Sequence, residues 1–167
     1  SFSCSDVGAN TVTLTVTDIH NNVSTCPATV TVEDNVAPAA LCQNVTVQLD
    51  EDGEAATTAA AVDNGSSDAC GIQSAVLSRQ SFSCSDVGAN TVTLTVTDAN
   101  NNASTCTATV FVEDDINPVA LCRNITVLLD GDGQGEVTAQ QVDNGSSDAC
   151  GILTLELNQT KVDCNNV

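Results

Sequence analysis

The sequence predicts an all-β protein built from tandem β-sandwich repeats of 80 residues. Three observations lead to this prediction. The chain of 167 residues repeats itself at an offset of 80. Apolar and polar residues alternate along several short segments, as they do in half-buried antiparallel strands. Turn residues separate these segments about every ten residues, which is the spacing typical of a sandwich.

The repeat can be read directly from the sequence. Residues 1–18, SFSCSDVGANTVTLTVTD, return unchanged at 81–98, and residues 41–50 recur with small changes at 121–130. The alignment needs no gap, and the residues from Lys161 onward match the start of the unit once more. Self-similarity at one fixed offset is the signature of a tandem-repeat protein.

Two acidic stretches, around Pro38 and Pro118, are predicted to be linkers. Each follows a predicted strand, and proline cannot continue a β-ladder. This frame predicts that residues 1–36 are the C-terminal part of a preceding repeat, 37–115 a complete repeat and 116–167 the N-terminal part of a following repeat. Neither a signal peptide nor a transmembrane run is visible, so we expect a segment of a longer protein.

The strands follow from the period-two pattern. Val92, Leu94 and Val96 share one face of a strand over 91–98, with four Thr residues on the other face. After a polar turn, a second run at 105–112 is predicted to complete a hairpin. Weaker strand patterns lie at 45–49, at 54–62, from Ile72 onward and around Phe82. Helices have little support, because Thr and Val are poor helix formers.

The charge balance excludes several classes of partner. The chain has three Lys or Arg residues against 22 Asp or Glu residues, a formal net charge of −19. Nucleic acids and anionic membrane surfaces would be repelled, so neither nucleic-acid binding nor membrane insertion is expected. Such a surface suits a multivalent cation, although the charge could also serve solubility alone.

The cysteine content indicates an oxidising compartment. There are nine Cys but no Trp, Tyr or Met and only three Phe, so the core is expected to be thin and to need disulfides. We therefore expect a secreted or cell-surface, extracellular protein. A cytosolic metal-thiolate protein is the alternative, but no C-x-x-C pair occurs and His20 is the single histidine.

One known family resembles the repeated unit. The run GANTVTLTVTDANNNASTCTATVFVED at 88–114, followed by a proline linker and LCRNITV at 121–127, resembles the hyalin repeat. The segments DNGSSDACGI at 63–72 and FSCSDVG at 82–88 resemble its bacterial form, which carries four cysteines. The resemblance implies tandem immunoglobulin-like sandwiches, a role in extracellular adhesion or matrix, and no catalytic residue.

Each full unit contains four cysteines, which allow three pairings. The resemblance to two-cysteine hyalin repeats implies the bond Cys42–Cys106, which leaves Cys70 with Cys84. Because Cys42 has the opposite parity to the apolar residues that follow it, this pairing needs a bulge. A local scheme, in which Cys42 pairs with Cys70 and Cys84 with Cys106, stays open. Either bond is expected to stabilise the fold by about 3 to 4 kcal/mol.

The predicted repeat boundaries also determine which partners are expected for the remaining cysteines. Under the first scheme Cys150 pairs with Cys164, whereas Cys4, Cys26 and Cys122 are expected to pair beyond the chain. Alternatively, the start of one copy completes the end of its neighbour by strand complementation, which would build a filament.

Carboxylates recur in two groups per unit, and calcium prefers six to eight oxygen ligands of this kind. One group is the loop DNGSSD, and the other combines a residue at a strand end with the acidic linker. The linker group also resembles the calcium-binding junction of cadherin repeats. A sandwich can place the DNGSSD loop and the turn after Asp98 at one end and the linker near the other, so ligands from adjacent domains could meet at a junction. The alternative is that Asp and Asn are only turn residues. The candidate calcium ligands are Asp63, Asn64, Asp68, Asp98, Glu113, Asp114, Asp115, Asp18, Glu33, Asp34, Asp143 and Asp148.

The triplet N-x-S/T marks candidate glycan sites, which would make the protein a glycoprotein in a eukaryotic secretory pathway. Strands rich in Asn and Thr also produce such triplets by chance. The seven triplets begin at Asn22, Asn44, Asn64, Asn102, Asn124, Asn144 and Asn158.

The sequence features bear on three classes of function: a fibre segment, an adhesin and an enzyme. Nearly identical cross-linked repeats predict a segment of an extracellular fibre or stalk, stiffened by calcium and contacting neighbouring repeats or copies of itself. A cell-surface adhesin that binds a glycan or protein is the alternative, but exposed aromatic residues for sugar stacking are few. An enzyme is not expected, because carboxylates copied in every unit do not form a unique active site.

Overall fold

The computed structural model describes residues 1–165. Its contacts divide the chain into two compact units, which are described separately. Unit 1 contains Ser1–Val45, Thr57–Gln80 and Thr91–Thr109, and unit 2 contains Thr46–Ala56, Ser81–Asn90 and the residues from Val110 onward. The structure is mostly β, which confirms the predicted all-β class.

A long hairpin opens unit 1. Strand β1 (Gly8–Thr17) pairs antiparallel with strand β2 (Val23–Val32), with Gly8 opposite Val32 and Thr17 opposite Val23. The turn between them includes Asn21 at a φ of 65°, in the left-handed region that Asn tolerates better than most residues. These two strands form a sheet of their own.

The largest sheet in the described structure contains the four strands β3 (Val45–Gln48), β5 (Ile72–Leu77), β7 (Gly88–Asp98) and β8 (Ala103–Glu113). They lie side by side in the order β3-β8-β7-β5. Strand β5 pairs antiparallel with β7, with Leu77 opposite Leu94 and an irregularity between Ile72 and Ser74. The predicted hairpin is therefore the centre of this sheet, flanked by one strand on each side.

Short elements complete the units. In unit 2, β4 (Glu54–Ala56) pairs with β6 (Ser81–Ser83), and β9 (Gln134–Glu136) pairs with β10 (Lys161–Asp163). Single helical turns occur at α1 (Ala59–Val62) and α2 (Ala139–Val142).

The strand predicted over 54–62 is too long, because β4 ends at Ala56. Its second half forms α1, which begins at the N-cap Thr58, whose hydroxyl accepts a hydrogen bond from the Ala61 N–H. Single 3-10 turns at Cys4–Asp6 and Cys84–Asp86 precede β1 and β7.

The buried apolar residues follow the predicted alternation. Val92, Leu94 and Val96 of β7 are all buried, together with Ala108 of β8, Val62 and Leu77 in unit 1. In unit 2 the buried apolar residues are Leu49, Phe82, Val110 and Val112. Apart from Phe82, these buried apolar side chains are aliphatic.

Within residues 1–165, no helix combines the length and the apolar character needed to cross a membrane.

Candidate functional site

Three disulfides are present. Their Cα–Cα distances are 5.2 Å for Cys4–Cys70, 5.8 Å for Cys42–Cys106 and 5.1 Å for Cys84–Cys150. The first and the third are the same bond at the 80-residue offset, and both span 66 residues. All three bonds lie within one unit each.

The bond Cys42–Cys106 agrees with the pairing implied by the hyalin resemblance. No bulge is needed, because Cys42 lies outside β3, where it forms an isolated bridge with Asp63. The rival local scheme is therefore wrong.

The expected pairs Cys70–Cys84 and Cys150–Cys164 are wrong. Strand β5 leads away from Cys70, and its six residues span about 20 Å when extended. Two Cα atoms must lie within about 7 Å to be bridged. Cys70 is bonded to Cys4 and Cys84 to Cys150 instead, so the expectation that Cys4 pairs beyond the chain is wrong as well. Among residues 1–165, Cys26, Cys122 and Cys164 are free thiols on exposed residues.

Two carboxylates lie close together beside each of the disulfides Cys4–Cys70 and Cys84–Cys150. A carboxylate oxygen of Asp34, one of Asp68 and the sulfur of Cys70 all lie within 4.8 Å of one another. Asp114, Asp148 and Cys150 form the same cluster in unit 2. We call each of these pairs, Asp34 with Asp68 and Asp114 with Asp148, an acid pair. The cysteine sulfur in each cluster is in a disulfide, so only carboxylate oxygens are available to a cation.

Each acid pair joins the two predicted groups of carboxylates, one from the linker and one from the DNGSSD loop. Backbone N–H groups orient the members of the first pair: Val36 donates to Oδ1 of Asp34 at 3.1 Å, and Cys70 donates to Oδ1 of Asp68 at 2.7 Å. Both of these Asp residues are half-buried. The arrangement concentrates two negative charges next to a disulfide.

Side chains from the turn after β7 and from the start of β8 hold the linker of the first acid pair. The Asn100 Nδ2 donates to Oδ2 of Asp34 at 2.8 Å, and the Asn102 Nδ2 donates to the Asp34 carbonyl oxygen at 2.9 Å. The hydroxyl of Ser104 donates to the carbonyl oxygen of Pro38. Sequence reasoning did not connect these three residues with the carboxylates, and it singled out Asn102 only as a candidate glycan site. The run of Asn residues at this turn was the available signal.

Asp98 supports this turn and belongs to neither acid pair. Its side chain is fully buried and accepts hydrogen bonds of 2.8 Å from the Asn100 N–H, the Asn102 N–H and the Asn102 Nδ2. Burial raises the pKa of the Asp98 carboxyl, but these hydrogen bonds outweigh burial and the pKa is lowered. In the matching turn, a hydrogen bond from the Asn22 side chain is the main cause of a lowered Asp18 pKa.

Asp63 and Asp143 also serve turns. The Ser66 hydroxyl and N–H both donate to Oδ1 of Asp63, and the hydroxyl is the main cause of its lowered pKa. Ser146 acts in the same way on Asp143. The backbone N–H of Asn64 donates to the Leu41 carbonyl at 2.9 Å. This end of each DNGSSD loop is therefore a structural turn.

The remaining predicted ligands, Glu33, Glu113 and Asp115, lie outside both acid pairs. Glu113 accepts a hydrogen bond of 2.6 Å from Gln48, and Glu33 accepts one of 3.3 Å from Asn35. Asp115 is exposed. A small cavity of about 150 Å³ lies beside the first acid pair, lined by residues that include Phe2, Val32 and Asp34.

The candidate glycan sites differ in their environment. The Nδ2 of Asn22 donates to Asp18 and that of Asn102 donates to Asp98 and Asp34, so a glycan there would disrupt a turn. The Oδ1 of Asn44 accepts a hydrogen bond from the Thr109 N–H. Occupancy of the seven sites stays a prediction.

Comparison with models of known protein families finds no match to this chain, and comparison with curated protein sequences finds none either.

Proposed function

We propose that the chain is a segment of an extracellular fibre or stalk, made of tandem immunoglobulin-like repeats that resemble hyalin repeats and are joined to one another by disulfides. The single observation that carries the proposal is the overlap of the three bonds. Cys4–Cys70 and Cys84–Cys150 each join residues on opposite sides of a predicted linker, and Cys42–Cys106 closes the predicted repeat between them. Extracellular localisation is compatible with three disulfides.

The overlap limits how far the chain can be stretched. The shortest covalent route from Cys4 to Cys150 crosses the first bond, follows the backbone from Cys70 to Cys84 and crosses the second bond. With only 14 residue steps between Cys70 and Cys84, this route is about 60 Å long when fully extended. The backbone between the same ends would reach about 500 Å without the bonds. A protein that carries tension benefits from this limit, whereas a diffusing enzyme does not.

Calcium is proposed to bind at the acid pairs. Two carboxylates held close together repel each other unless a cation lies between them, and the chain carries a net charge of −19. Asp34 comes from the linker and Asp68 from the predicted repeat that follows it. A shared calcium ion would therefore stiffen the joint that the Cys4–Cys70 bond already closes. Calcium needs further oxygens, and the Asn100 side chain, whose Nδ2 lies 2.8 Å from Oδ2 of Asp34, could supply one after a turn of its amide.

Catalysis is not part of the proposal. The acid pair occurs twice with the same residue types, beside the same bond and at the same offset. Repetition of this kind fits a structural joint better than an active site, which needs a unique set of acid, base and nucleophile.

Single-molecule force spectroscopy tests the proposal. The oxidised chain is pulled from its two ends until it is fully unfolded, and the measurement is repeated in a reductant. We expect a final length of about 130 Å for the oxidised chain and about 580 Å for the reduced chain. A chain with the bonds Cys42–Cys106, Cys70–Cys84 and Cys150–Cys164 would reach about 320 Å when oxidised. An oxidised length near that value would contradict the proposed joint.

A further inference from the structure

We propose that Asn64 and Asn144 are sites of spontaneous deamidation, at which water converts the side-chain amide to aspartate or isoaspartate. The modification does not depend on whether the chain belongs to a fibre. Asn64 lies in the complete predicted repeat, and Asn144 is its copy at the 80-residue offset.

The first observation is the residue that follows each of these asparagines. Asn64 precedes Gly65 and Asn144 precedes Gly145, and no other asparagine of the chain precedes a glycine. Because glycine has no Cβ, its backbone nitrogen is open to the Cγ of the preceding side chain. A β-branched residue in the same place shields that nitrogen.

The second observation is that the fold requires this glycine. The φ of Gly65 is 84° and that of Gly145 is 89°, in the left-handed region that favours glycine. Among the described residues, no heavy atom beyond the chain neighbours lies within 4 Å of the place that a Cβ would take on either glycine. The backbone conformation, rather than lack of space, therefore selects glycine, and the turn cannot exchange it for a shielding residue.

The third observation is the freedom of the two side chains. Asn64, Asn144 and the glycines that follow them are exposed. Within residues 1–165, the side-chain amides of both asparagines make no hydrogen bond. By contrast, the Nδ2 of Asn90 donates to a backbone carbonyl at 2.6 Å, and that of Asn102 donates to Asp98 at 2.8 Å. The Asn64 and Asn144 amides are therefore free to turn toward the backbone.

The reaction balances with water as the only co-reactant. Hydroxide removes the proton of the Gly65 N–H, and the nitrogen attacks the Cγ of Asn64. A new C–N bond closes a cyclic imide, and the side-chain nitrogen leaves as ammonia with a proton from water. Water then adds to one of the two imide carbonyls, and the C–N bond of that carbonyl breaks. Opening at the side-chain carbonyl gives aspartate, and opening at the backbone carbonyl gives isoaspartate.

The modified peptide bond lies between two points at which the loop is tied to residues 39–41. On one side, the Asn64 N–H donates to the Leu41 carbonyl at 2.9 Å. On the other side, the Ser67 N–H donates to the Ala39 carbonyl at 3.1 Å, and the Ser67 carbonyl accepts the Ala39 N–H at 2.8 Å. Isoaspartate routes the backbone through the side chain and adds one methylene between these points. We therefore expect isoaspartate to weaken the bonds between Ser67 and Ala39.

A glycan would compete for the same nitrogen, because Asn64 also begins an N-x-S/T triplet. A side-chain nitrogen that carries a sugar cannot leave as ammonia. The experiment therefore uses the full chain made in bacteria without N-glycans.

Ageing of this chain in a mildly alkaline buffer tests the proposal. Trypsin, applied after reduction, separates the two copies, because it cuts after Arg79, Arg123 and Lys161. Electron-transfer fragmentation in the mass spectrometer then locates each deamidated residue and distinguishes isoaspartate from aspartate. We expect Asn64 and Asn144 to convert on the order of tenfold faster than any other asparagine.

A parallel sample unfolded in urea is the control for protection by the fold. If Asn64 stays intact in the folded chain for a time in which it converts in urea, the turn protects it and the proposal is overturned. Conversion of Asn64 no faster than that of Asn44, which precedes Val45, would overturn it as well.

A second measurement separates the added methylene from the added charge. Asn64→Asp carries the charge of the product on an ordinary backbone, so amide hydrogen exchange at Ser67 should stay within about twofold of the unmodified chain. In the isoaspartate fraction of the aged chain, exchange at Ser67 should be on the order of tenfold faster. Equal exchange in the Asn64→Asp chain and the isoaspartate fraction would overturn the proposed effect on the loop.

Discussion

The side-chain amide of Asn100 donates a hydrogen bond of 2.8 Å to the carboxylate of Asp34, a residue 66 positions earlier in the chain. This bond connects the linker that follows β2 with the turn that follows β7. It places Asp34 beside Asp68 and thereby beside the Cys4–Cys70 bond. The predicted linker is therefore held by specific contacts on both sides.

The first prediction concerns calcium. Adding calcium at 100 times its dissociation constant should stabilise the folded chain by about 2.7 kcal/mol for each acid pair, about 5.4 kcal/mol for both, and raise its melting temperature by about 10 °C or more. Asp34→Asn removes one carboxylate of the first acid pair and should roughly halve the shift, since the Asp114 pair remains. Differential scanning calorimetry with and without a chelator measures both. Asp115→Asn is the matched control, because this linker residue lies outside the pairs. An unchanged melting temperature would contradict calcium binding.

The second prediction compares two leucines with the same sequence neighbours. Leu94→Ala should destabilise the chain by about 2 to 5 kcal/mol, because it opens a cavity in the core. Leu14→Ala should change the stability by less than about 0.5 kcal/mol, because Leu14 is exposed in the single chain. Urea unfolding monitored by circular dichroism measures both values. Equal losses would show that the two hairpins have the same environment in solution.

The third prediction is a dependence of stability on pH. The pKa of Asp98 in the folded chain is lowered from the ordinary value of 3.8, so the folded state favours the ionised form. This contribution is fully present above pH 3.8, and it is lost as the pH falls through the lowered folded value. Asp98→Ala should therefore destabilise the chain more at pH 7 than at pH 2.

Chemical denaturation at the two pH values measures that difference. The exposed Asp115, which belongs to no described turn, supplies the control variant Asp115→Ala. An effect of Asp98→Ala that is equal at both pH values would show that the charge on Asp98 is not what stabilises the turn.

Sequence periodicity was sufficient to predict the strands in which one face is apolar and the other polar. Val92, Leu94 and Val96 were predicted on one face because alternation is a local property, and all three are buried. The same reasoning could not separate Leu94 from Leu14, since identical local sequences have different surroundings. Burial depends on which other segments pack against a strand, and a local pattern does not contain that information.

The candidate functional site was likewise predicted only in part from the sequence. Both groups of carboxylates were identified from turn residues, and their meeting at a junction was considered. The partners Asn100, Asn102 and Ser104 were not found, because their contacts join positions more than 60 residues apart. The Cys70–Cys84 pairing failed for a related reason. It was the pair that the resemblance left over within one unit, whereas strand β5 separates the two residues in space and their partners lie 66 residues away.

The fourth prediction concerns the bonds. Replacing Cys84 and Cys150 by Ser should destabilise the chain by about 4 kcal/mol, because the bond closes a loop of 66 residues. Guanidinium unfolding of the oxidised protein measures the loss. Cys26→Ser is the matched control and should have little effect, since Cys26 is exposed and free in the single chain. A loss as large in the control would mean that Cys26 has a partner in solution.

Peptide mapping of the oxidised chain tests the central claim most directly. Proteolysis at low pH, which prevents disulfide exchange, is followed by mass spectrometry without reduction. Because residues 81–98 repeat residues 1–18 and residues 142–152 repeat residues 62–72, the cysteines are told apart by fragments that keep Gln80, Gln73 or Leu153. We predict that the peptide with Cys84 is joined to the peptide with Cys150, and that the peptide with Cys4 is joined to that with Cys70. A peptide in which Cys70 is joined to Cys84 would contradict the claim that disulfides connect successive repeats.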